Sequence, residues 1–544
     1  MSGVGKGIAA ASIGKVLQSR GYKINLVKVD PYLNVDAGTM NPTEHGEAFV
    51  LSSGLETDQD MGNYERFLGR DLPEENYLTS GMIYQSVIQK ERNLEYGGKC
   101  VEAIPHIREE IVERIEAAAD INGSEISVIE IGGTVGDYQN IMFIEAARVM
   151  QARNPDSVFF IMVSYLPIPS KVGEMKTKPT QNAIRQLNSY GVQPHMVIGR
   201  SSEPLDDRRK SKIAMQCNIR PEHVISAPDI DSIYDVPLNF DKDNLADIIL
   251  PHFKLKTKRT NKLAKEGMRS WRKFANSAKN TKKELDIAVV GKYFGTGDFV
   301  LSDAYISVIE AIKFSSYAKG VKPKLHWISS QDFESGKLST RSLSKYDGII
   351  VPGGFGQTGI EGKLKVIKYA RENKIPYFGL CYGMQLMVVE YARHKAGLSG
   401  ANTREIDNKA EHLVIDIMPE QKKKLQNKDY GGTMRLGQYP AYLKKGTIAR
   451  KAYNAELVNE RHRHRYEVSP EFVDIIEDAG LVFSGVSPDN KLMEIAELPL
   501  NEHPFMLGTQ FHPELQARPL TPHPLFTAFV KAALTYKKGK STGR

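Results

Sequence analysis

Short apolar runs in this chain end in glycine or proline turns, and stretches with apolar residues at helical spacing follow several of them. Ile126-Ser-Val-Ile-Glu-Ile-Gly-Gly133, Leu285-Asp-Ile-Ala-Val-Val-Gly291 and Ile349-Ile-Val-Pro-Gly-Gly354 read as buried strands that stop at flexible turns. Lys374-Ile-Pro-Tyr-Phe-Gly-Leu380 is another such strand. It runs into a sharp turn at Cys381, after which Met384-Gln-Leu-Met-Val-Val-Glu390 resumes helical periodicity. Ile8-Ala-Ala-Ala-Ser-Ile-Gly-Lys-Val-Leu17 is helical from its first residue. Strands alternating with helices predict an α/β fold, and the length predicts two doubly wound domains. The pattern lapses over residues 254–283, which are poor in apolar side chains and read as an interdomain linker containing a helical portion. This places one domain at 1–253 and another at 284–540.

Charge sharpens that division. The 544 residues are 41% apolar and carry a net charge of +8. Residues 254–283 hold twelve Lys or Arg against one acid, a net +11, and leave about −3 elsewhere. The basicity therefore belongs to one segment and does not describe a nucleic-acid-binding surface, although that segment could still meet a polyanion. The three cysteines, at 100, 217 and 381, form neither a disulfide framework nor metal-ligand pairs, so a reducing cytoplasm is the expected compartment. No apolar run reaches membrane-spanning length, and no membrane partner or secretory signal is expected.

The turn at Cys381 carries candidate chemistry. A thiol becomes a strong nucleophile when an imidazole takes its proton and a carboxylate fixes the imidazole tautomer. Gln510-Phe-His512-Pro-Glu514 supplies both partners, and His512 and Glu514 would point the same way on a strand. The glycine turn Gly353-Gly354-Phe-Gly356 offers backbone N–H groups to an oxyanion, with that of Tyr382 beside the nucleophile. The alternative for Cys381 alone is a small core hydrophobe. The three segments together resemble the class I glutamine amidotransferases, which hydrolyse glutamine and pass on ammonia.

The N-terminal half reads as a nucleotide site. Ser2-Gly3-Val4-Gly5-Lys6-Gly7 leads straight into a helix, as the end of a loop that presents backbone amides and a lysine to phosphates. Gly7 stands where the common phosphate loop has Ser or Thr, so magnesium must be held by other groups. Asp60, in the acidic turn Glu56-Thr-Asp58-Gln-Asp60, and Glu130, at the end of an apolar strand, could hold it together; each alone is equally consistent with a solvated loop carboxylate. Lys176-Thr177-Lys178-Pro179-Thr180-Gln181 gathers ammonium, hydroxyl and amide donors suited to a triphosphate or a pyrimidine edge. Lys212 opens an amphipathic helix and either joins those donors or is an ordinary surface lysine.

Taken with KVDPYLNVDAGTMNPTEHGEAFV, ETDQDMGNYERF, IEIGGTVGD, GGTMRLG and ERHRHRYE, these segments are similar to the CTP synthase family over nearly the whole chain. The resemblance implies a glutamine-dependent amidoligase that uses ATP and Mg²⁺ to phosphorylate O4 of UTP before ammonia displaces phosphate. It implies that Ser2 to Gly7 and Asp60 meet ATP, that Asp60 and Glu130 hold Mg²⁺ with Asp58 in support, and that Ser2, Asp137, Tyr138, Gln139, Lys176 to Gln181 and Lys212 meet UTP or the feedback inhibitor CTP. For glutamine it implies Gly354, Tyr382, Gly383, Met384, Gln385, Glu405 and Arg465 around the substrate and Cys381, His512 and Glu514 as the catalytic set. An internal ammonia passage with Pro42 to Ala48 at its ligase end, GTP as an allosteric activator, a homotetramer and possible filaments follow from the same resemblance.

Three departures stand out. The resemblance implies a hydrophobic strand and a Thr-Gly-Gly turn ahead of the position of Met1, so the chain as written is expected to lack a central strand. Gly-Phe-Gly-Gln-Thr358-Gly lacks the arginine that the family places at 358 and associates with GTP activation, which predicts weak activation. Tyr138-Gln139 replaces an Ile-Glu pair near the expected pyrimidine site, which predicts altered CTP feedback. Two rival readings are a plain glutaminase and a purely structural filament subunit; neither requires the lysine loop or the acidic pair.

Overall fold

In the computed structural model, residues 3–41, 45–121, 123–171, 173–258, 260–291, 302–354, 356–417 and 434–541 are described. The chain forms two compact units, one of residues 1–37 with 60–275 and the other of residues 38–59 with 276–544. Both are α/β with parallel sheets.

The first unit contains two three-stranded parallel sheets. One orders Tyr77–Thr79, Ile24–Asp30 and Ile126–Ile131, and the other Ile161–Tyr165, Met196–Ser201 and Val224–Pro228. Every residue of Ile24–Asp30 is buried, including Asn25, Lys28 and Asp30, so its polar side chains must find partners inside the protein. The unit extends past the expected boundary at 253. The helix Arg269–Asn280 buries Trp271 against Phe67, with ring centroids 4.9 Å apart, and Trp271 Nε1 donates to Tyr234 O at 2.8 Å. The basic segment is thus not a solvated linker throughout, because its aromatic stripe belongs to a core while its lysines and arginines take the other face.

The second unit is built on a nine-stranded sheet. Its order is Lys322–Ser329, Glu284–Gly291, Gly348–Val351, Tyr377–Leu380, Met506–Thr509, Met493–Glu497, Val482–Val486, Arg435–Leu443 and Leu457–His464. Neighbours run parallel as far as Met506–Thr509 and antiparallel beyond it. The helix Tyr382–His394 is buried along nearly its whole length, with Met384, Leu386, Met387 and Val388 in the main core cluster.

One element of this unit comes from far away in sequence. The hairpin of Phe49–Val50 and Glu56–Thr57 lies on the strand Leu457–His464. There Arg461 Nη1 donates to Val50 O at 3.0 Å, and Arg463 Nε meets Glu56 Oε1 at 2.6 Å. Gln438 N donates to Ser52 O at 3.0 Å. The approach is close enough that a Cβ at Gly437 would lie 2.8 Å from Gly54 N.

Candidate active site

Cys381 sits between the strand Tyr377–Leu380 and the helix Tyr382–His394 with φ 49° and ψ −99°, a backbone geometry unusual for a residue with a side chain. It is held there because Cys381 N donates to Thr509 O at 2.6 Å and Cys381 O accepts from Gln385 N at 3.1 Å. The turn is possible only with small neighbours: a Cβ on Gly383 would lie 2.1 Å from Val351 O, and one on Gly379 2.6 Å from Gly383 C. Sequence and packing thus converge on one strained turn that presents Sγ at a helix N-terminus, where orphan N–H groups and the helix dipole favour a thiolate.

His512 and Glu514 do not lie on a strand as the alternation predicts. The strand Met506–Thr509 ends before them, and Pro513, which has no N–H to give a ladder, starts a short 3₁₀ helix over Pro513–Gln516. The pairing survives this change, with His512 Nδ1 and Glu514 Oε1 2.7 Å apart and His512 N donating to Arg461 O at 2.8 Å. A Cβ on Gly353 would lie 2.9 Å from His512 Cε1 and 3.8 Å from Cys381 Cβ, so imidazole and thiol share one glycine-lined corner. His512 Nε2 is buried with no hydrogen-bond partner among the described residues. Burial pulls the His512 pKa down, but the charges of Glu514 and Cys381 outweigh it and hold the imidazole well above the usual histidine range. That keeps the imidazole charged beside the thiol.

Substituting Glu514→Gln keeps the shape and removes the charge. With that charge gone the His512 pKa falls, and glutamine hydrolysis is expected to drop roughly a hundredfold or more. Rate against pH checks this; an unchanged profile would show that Glu514 only packs.

Several of the expected glutamine-binding residues have partners next to the Cys381 turn. Glu405 Oε1 accepts from Gly356 N at 2.6 Å, fixing the glycine turn that carries Gly354. Tyr466 is pushed up by burial and by Glu405, with Arg465 opposing, so both charges act on one phenol. Tyr382 is the first residue of the helix and Gly383 the second. The side chain of Met384 is fully buried against Gly508, where a Cβ would lie 2.7 Å from Met384 Cβ, so it contributes packing and not a polar group. Gln385 Nε2 is committed to Tyr466 O at 3.0 Å.

In the first unit, Gly3 and Gly5 both have positive φ, and the helix Lys6–Ser19 begins directly after Gly5. Lys6 Nζ donates to Gly133 O at 3.1 Å, and Arg200 Nε donates to Val4 O at 3.1 Å. A Cβ at Gly7 would lie 2.0 Å from Asp60 Oδ1. The Ser or Thr side chain of the common loop is thus replaced, in space, by a carboxylate brought to the start of the helix. Asp60 and Glu130 converge on Lys28, whose Nζ lies 2.7 Å from Asp60 Oδ2, 3.2 Å from Glu130 Oε1 and 3.5 Å from Asp30 Oδ1. Tyr64 donates its hydroxyl to Glu130 Oε2. Burial raises the pKa values of Glu130 and Asp30, with Lys28 pulling both down and Asp60 pushing both up. Burial also pulls Lys6 below the usual lysine range, with Glu130 opposing. Among the described residues no three His, Cys, Asp or Glu side chains form a ready metal cage.

A family model for the CTP synthase N-terminus matches residues 1–255, and one for class I glutamine amidotransferases matches residues 300–532. The chain is 47% identical over 545 residues to the CTP synthase of Pyrococcus furiosus, covering 99% of this chain and 97% of that one. It is 45% identical over 536 residues to the CTP synthase of Streptococcus pneumoniae, covering 98% and 97%. This chain belongs to the CTP synthase family. It is an enzyme, a glutamine-hydrolysing ligase, with the family's amidoligase half followed by its glutaminase half.

Within that family frame, the lysine loop is partly built-in structure. Thr177, Thr180 and Gln181 are buried, with Thr180 Oγ1 2.9 Å from Ser164 Oγ and Gln181 Nε2 donating to Thr177 Oγ1 at 3.2 Å. Lys178 and Pro179 open the helix Lys178–Ser189 and are exposed. Lys176 pairs with Glu174 at 2.7 Å, and Glu174 is held below its ordinary range mainly by Lys176, with Arg209 and Lys212 acting on it too. Asp137 Oδ2 accepts from Thr134 N at 2.8 Å, and Tyr138 is 92% exposed beside an exposed Gln139. Ser2 and Pro42 to Glu44 lie outside the described residues. Asp58 follows the strand Glu56–Thr57, and Thr358 is exposed.

Sequence reasoning missed Lys28, Tyr64, Arg200 and any role for Gln510. For Lys28 a signal existed: a lysine inside Ile24-Asn-Leu-Val-Lys-Val-Asp30, a run that reads as a strand buried on both faces, requires buried acids nearby. Arg200 and Tyr64 had none, because their partners are set by tertiary packing.

Proposed function

We propose that this chain converts UTP to CTP, with ATP as phosphoryl donor and glutamine as nitrogen source. Cys381 attacks the glutamine amide carbon, His512 protonates the departing ammonia, and water then cleaves the thioester to release glutamate. The N–H groups of Gly354 and Tyr382 are suited to the oxyanion. In the ligase half, ATP phosphorylates O4 of UTP, ammonia attacks C4, and phosphate leaves, giving CTP, ADP and phosphate. Lys6 neutralises charge on the transferred group, and the Lys176 to Gln181 loop with Lys212 receives the UTP triphosphate.

The observation that carries this reading is the pairing in one chain of a Cys381–His512–Glu514 site with a phosphate loop beside Asp60 and Glu130. An all-oxygen donor set suits a hard cation, and two carboxylates complemented by phosphate oxygens and water suit Mg²⁺. Asp60 and Glu130 would hold Mg²⁺, which would neutralise phosphate charge. Incubating the chain with UTP, ATP, Mg²⁺ and either glutamine or ammonium tests the proposal. CTP from both nitrogen donors supports it; glutamine hydrolysis with no CTP from either donor would favour a plain glutaminase.

The exposed Thr358 gives this chain no guanidinium where the family places one, so GTP is expected to stimulate glutamine hydrolysis weakly, with Thr358→Arg raising the stimulation. Glutaminase rates with and without GTP check this; strong stimulation of the unaltered chain would assign the role elsewhere. CTP is expected to compete with UTP, with Tyr138 and Gln139 altering its strength. A cytoplasmic homotetramer completes the reading.

A further inference from the structure

We infer that Gln510 is a catalytic residue of the glutaminase site, donating an amide N–H to the Cys381 thiolate. The inference rests on the reading that Cys381 hydrolyses glutamine and adds a hydrogen-bond donor to its sulfur.

Gln510 is fully buried, with its backbone N donating to Glu494 O at 2.8 Å. Its Nε2 lies 3.7 Å from Cys381 Sγ, within range for a hydrogen bond to sulfur. An amide's two ends are easily exchanged, so the identity of the atom facing sulfur must be argued from its neighbours. The chain of partners settles it. Gln385 Nε2 lies 3.0 Å from Tyr466 O, and a backbone carbonyl only accepts, so this end of Gln385 is its NH₂ group. The same atom lies 3.2 Å from Gln510 Oε1, which must therefore be the carbonyl. The remaining end of Gln510, facing Sγ, is then its NH₂ group. Gln385 thus donates both to Tyr466 O and to Gln510 Oε1, and Gln510 donates onward to the sulfur.

Arg463 O and Gln510 Nε2, both within hydrogen-bond range of Sγ, favour different protonation states. Arg463 O, 3.9 Å away, can only accept, so it serves the neutral thiol. Gln510 can only donate in this orientation, so it serves the thiolate. His512 contributes charge to the thiolate; Gln510 contributes a directed donor that neither titrates nor moves with the proton, and it limits the sulfur's freedom before attack. Gln385 acts through Gln510 as a positioning residue.

The test reads the thiol directly in the full-length protein. Alkylation by iodoacetamide, followed by mass spectrometry of the peptide containing Cys381 so that Cys100 and Cys217 do not interfere, gives reactivity against pH. In Gln510→Met the midpoint is expected to rise by about one pH unit, the worth of a hydrogen bond to a charged group. In the isosteric Gln510→Glu, which places an acceptor against the sulfur, it should rise further. The glutamine kcat should fall about tenfold in Gln510→Met while KM changes less than about twofold, because the lost bond stabilises the nucleophile and not the bound substrate. A midpoint unchanged in both variants overturns the inference, as does a KM increase with kcat intact, which would make Gln510 a substrate ligand. Should Gln510→Met misfold, the isosteric variant decides alone. The alkylation profile needs no nucleotide, so a failure of the CTP assay leaves it standing.

Discussion

Replacing Cys381 with alanine is expected to abolish glutamine-dependent CTP formation, by roughly a thousandfold or more, while formation from ammonium continues at the unaltered rate. The loss is near total because the thioester has no other source: no other described cysteine lies at a strained strand-to-helix turn, Cys217 being pushed up to about 11 by burial and Cys100 lying on the surface. The selectivity follows from the architecture. Cys381 belongs to the second unit, and Lys6, Lys28, Asp60 and Glu130 belong to the first. Alanine removes one buried sulfur without adding volume, so the turn fixed by Gly379 and Gly383 is expected to persist. The measurement is CTP formation with each nitrogen donor, alongside glutamate release. Residual glutamate release near the wild-type rate would show that another group attacks glutamine; loss of the ammonium reaction would show that the two halves are not separable in this way.

How far each site could be read from the residues depended on whether its geometry is local. The Cys381 turn was legible because strand, turn and helix are contiguous and each has its own periodicity. The His512–Glu514 pair was legible as chemistry but misplaced as structure, since alternation suggested a strand and Pro513 ends it. Asp60 was legible as a carboxylate close to the glycine loop, yet the reason for Gly7 was not: only the fold shows that a carboxylate fills the space of its missing side chain. The hairpin at Phe49–Thr57 could not be assigned to the second unit from sequence, because its partners Arg461 and Arg463 lie some four hundred residues away. Trp271 carried a warning that was available: an aromatic stripe in a basic segment calls for a core to bury it.

Substituting Lys28→Met is expected to destabilise the first unit by roughly 3–5 kcal/mol and to abolish CTP formation with either nitrogen donor. Lys28 is only 5% exposed and stands between Asp30, Asp60 and Glu130, so methionine of similar length fills its volume while leaving buried carboxylates uncompensated. The pH dependence separates this cause from a packing defect. Asp30 and Glu130 sit above the ordinary carboxylate range, chiefly through burial, and Lys28 is the charge that restrains them. A carboxylate whose pKa is higher folded than unfolded binds protons more tightly in the native state, so its contribution is favourable at low pH and declines as pH rises from the ordinary carboxylate value through the folded one. Without Lys28 both rise further, and the decline deepens. The variant's deficit should therefore be greatest at neutral pH and shrink on acidification towards the ordinary carboxylate range, where protonation removes the charges that lysine had balanced. Denaturant unfolding of both proteins across that range measures it. A deficit independent of pH would mean that Lys28 matters for its packing, and the acidic pair would then have to tolerate its charge by some other means.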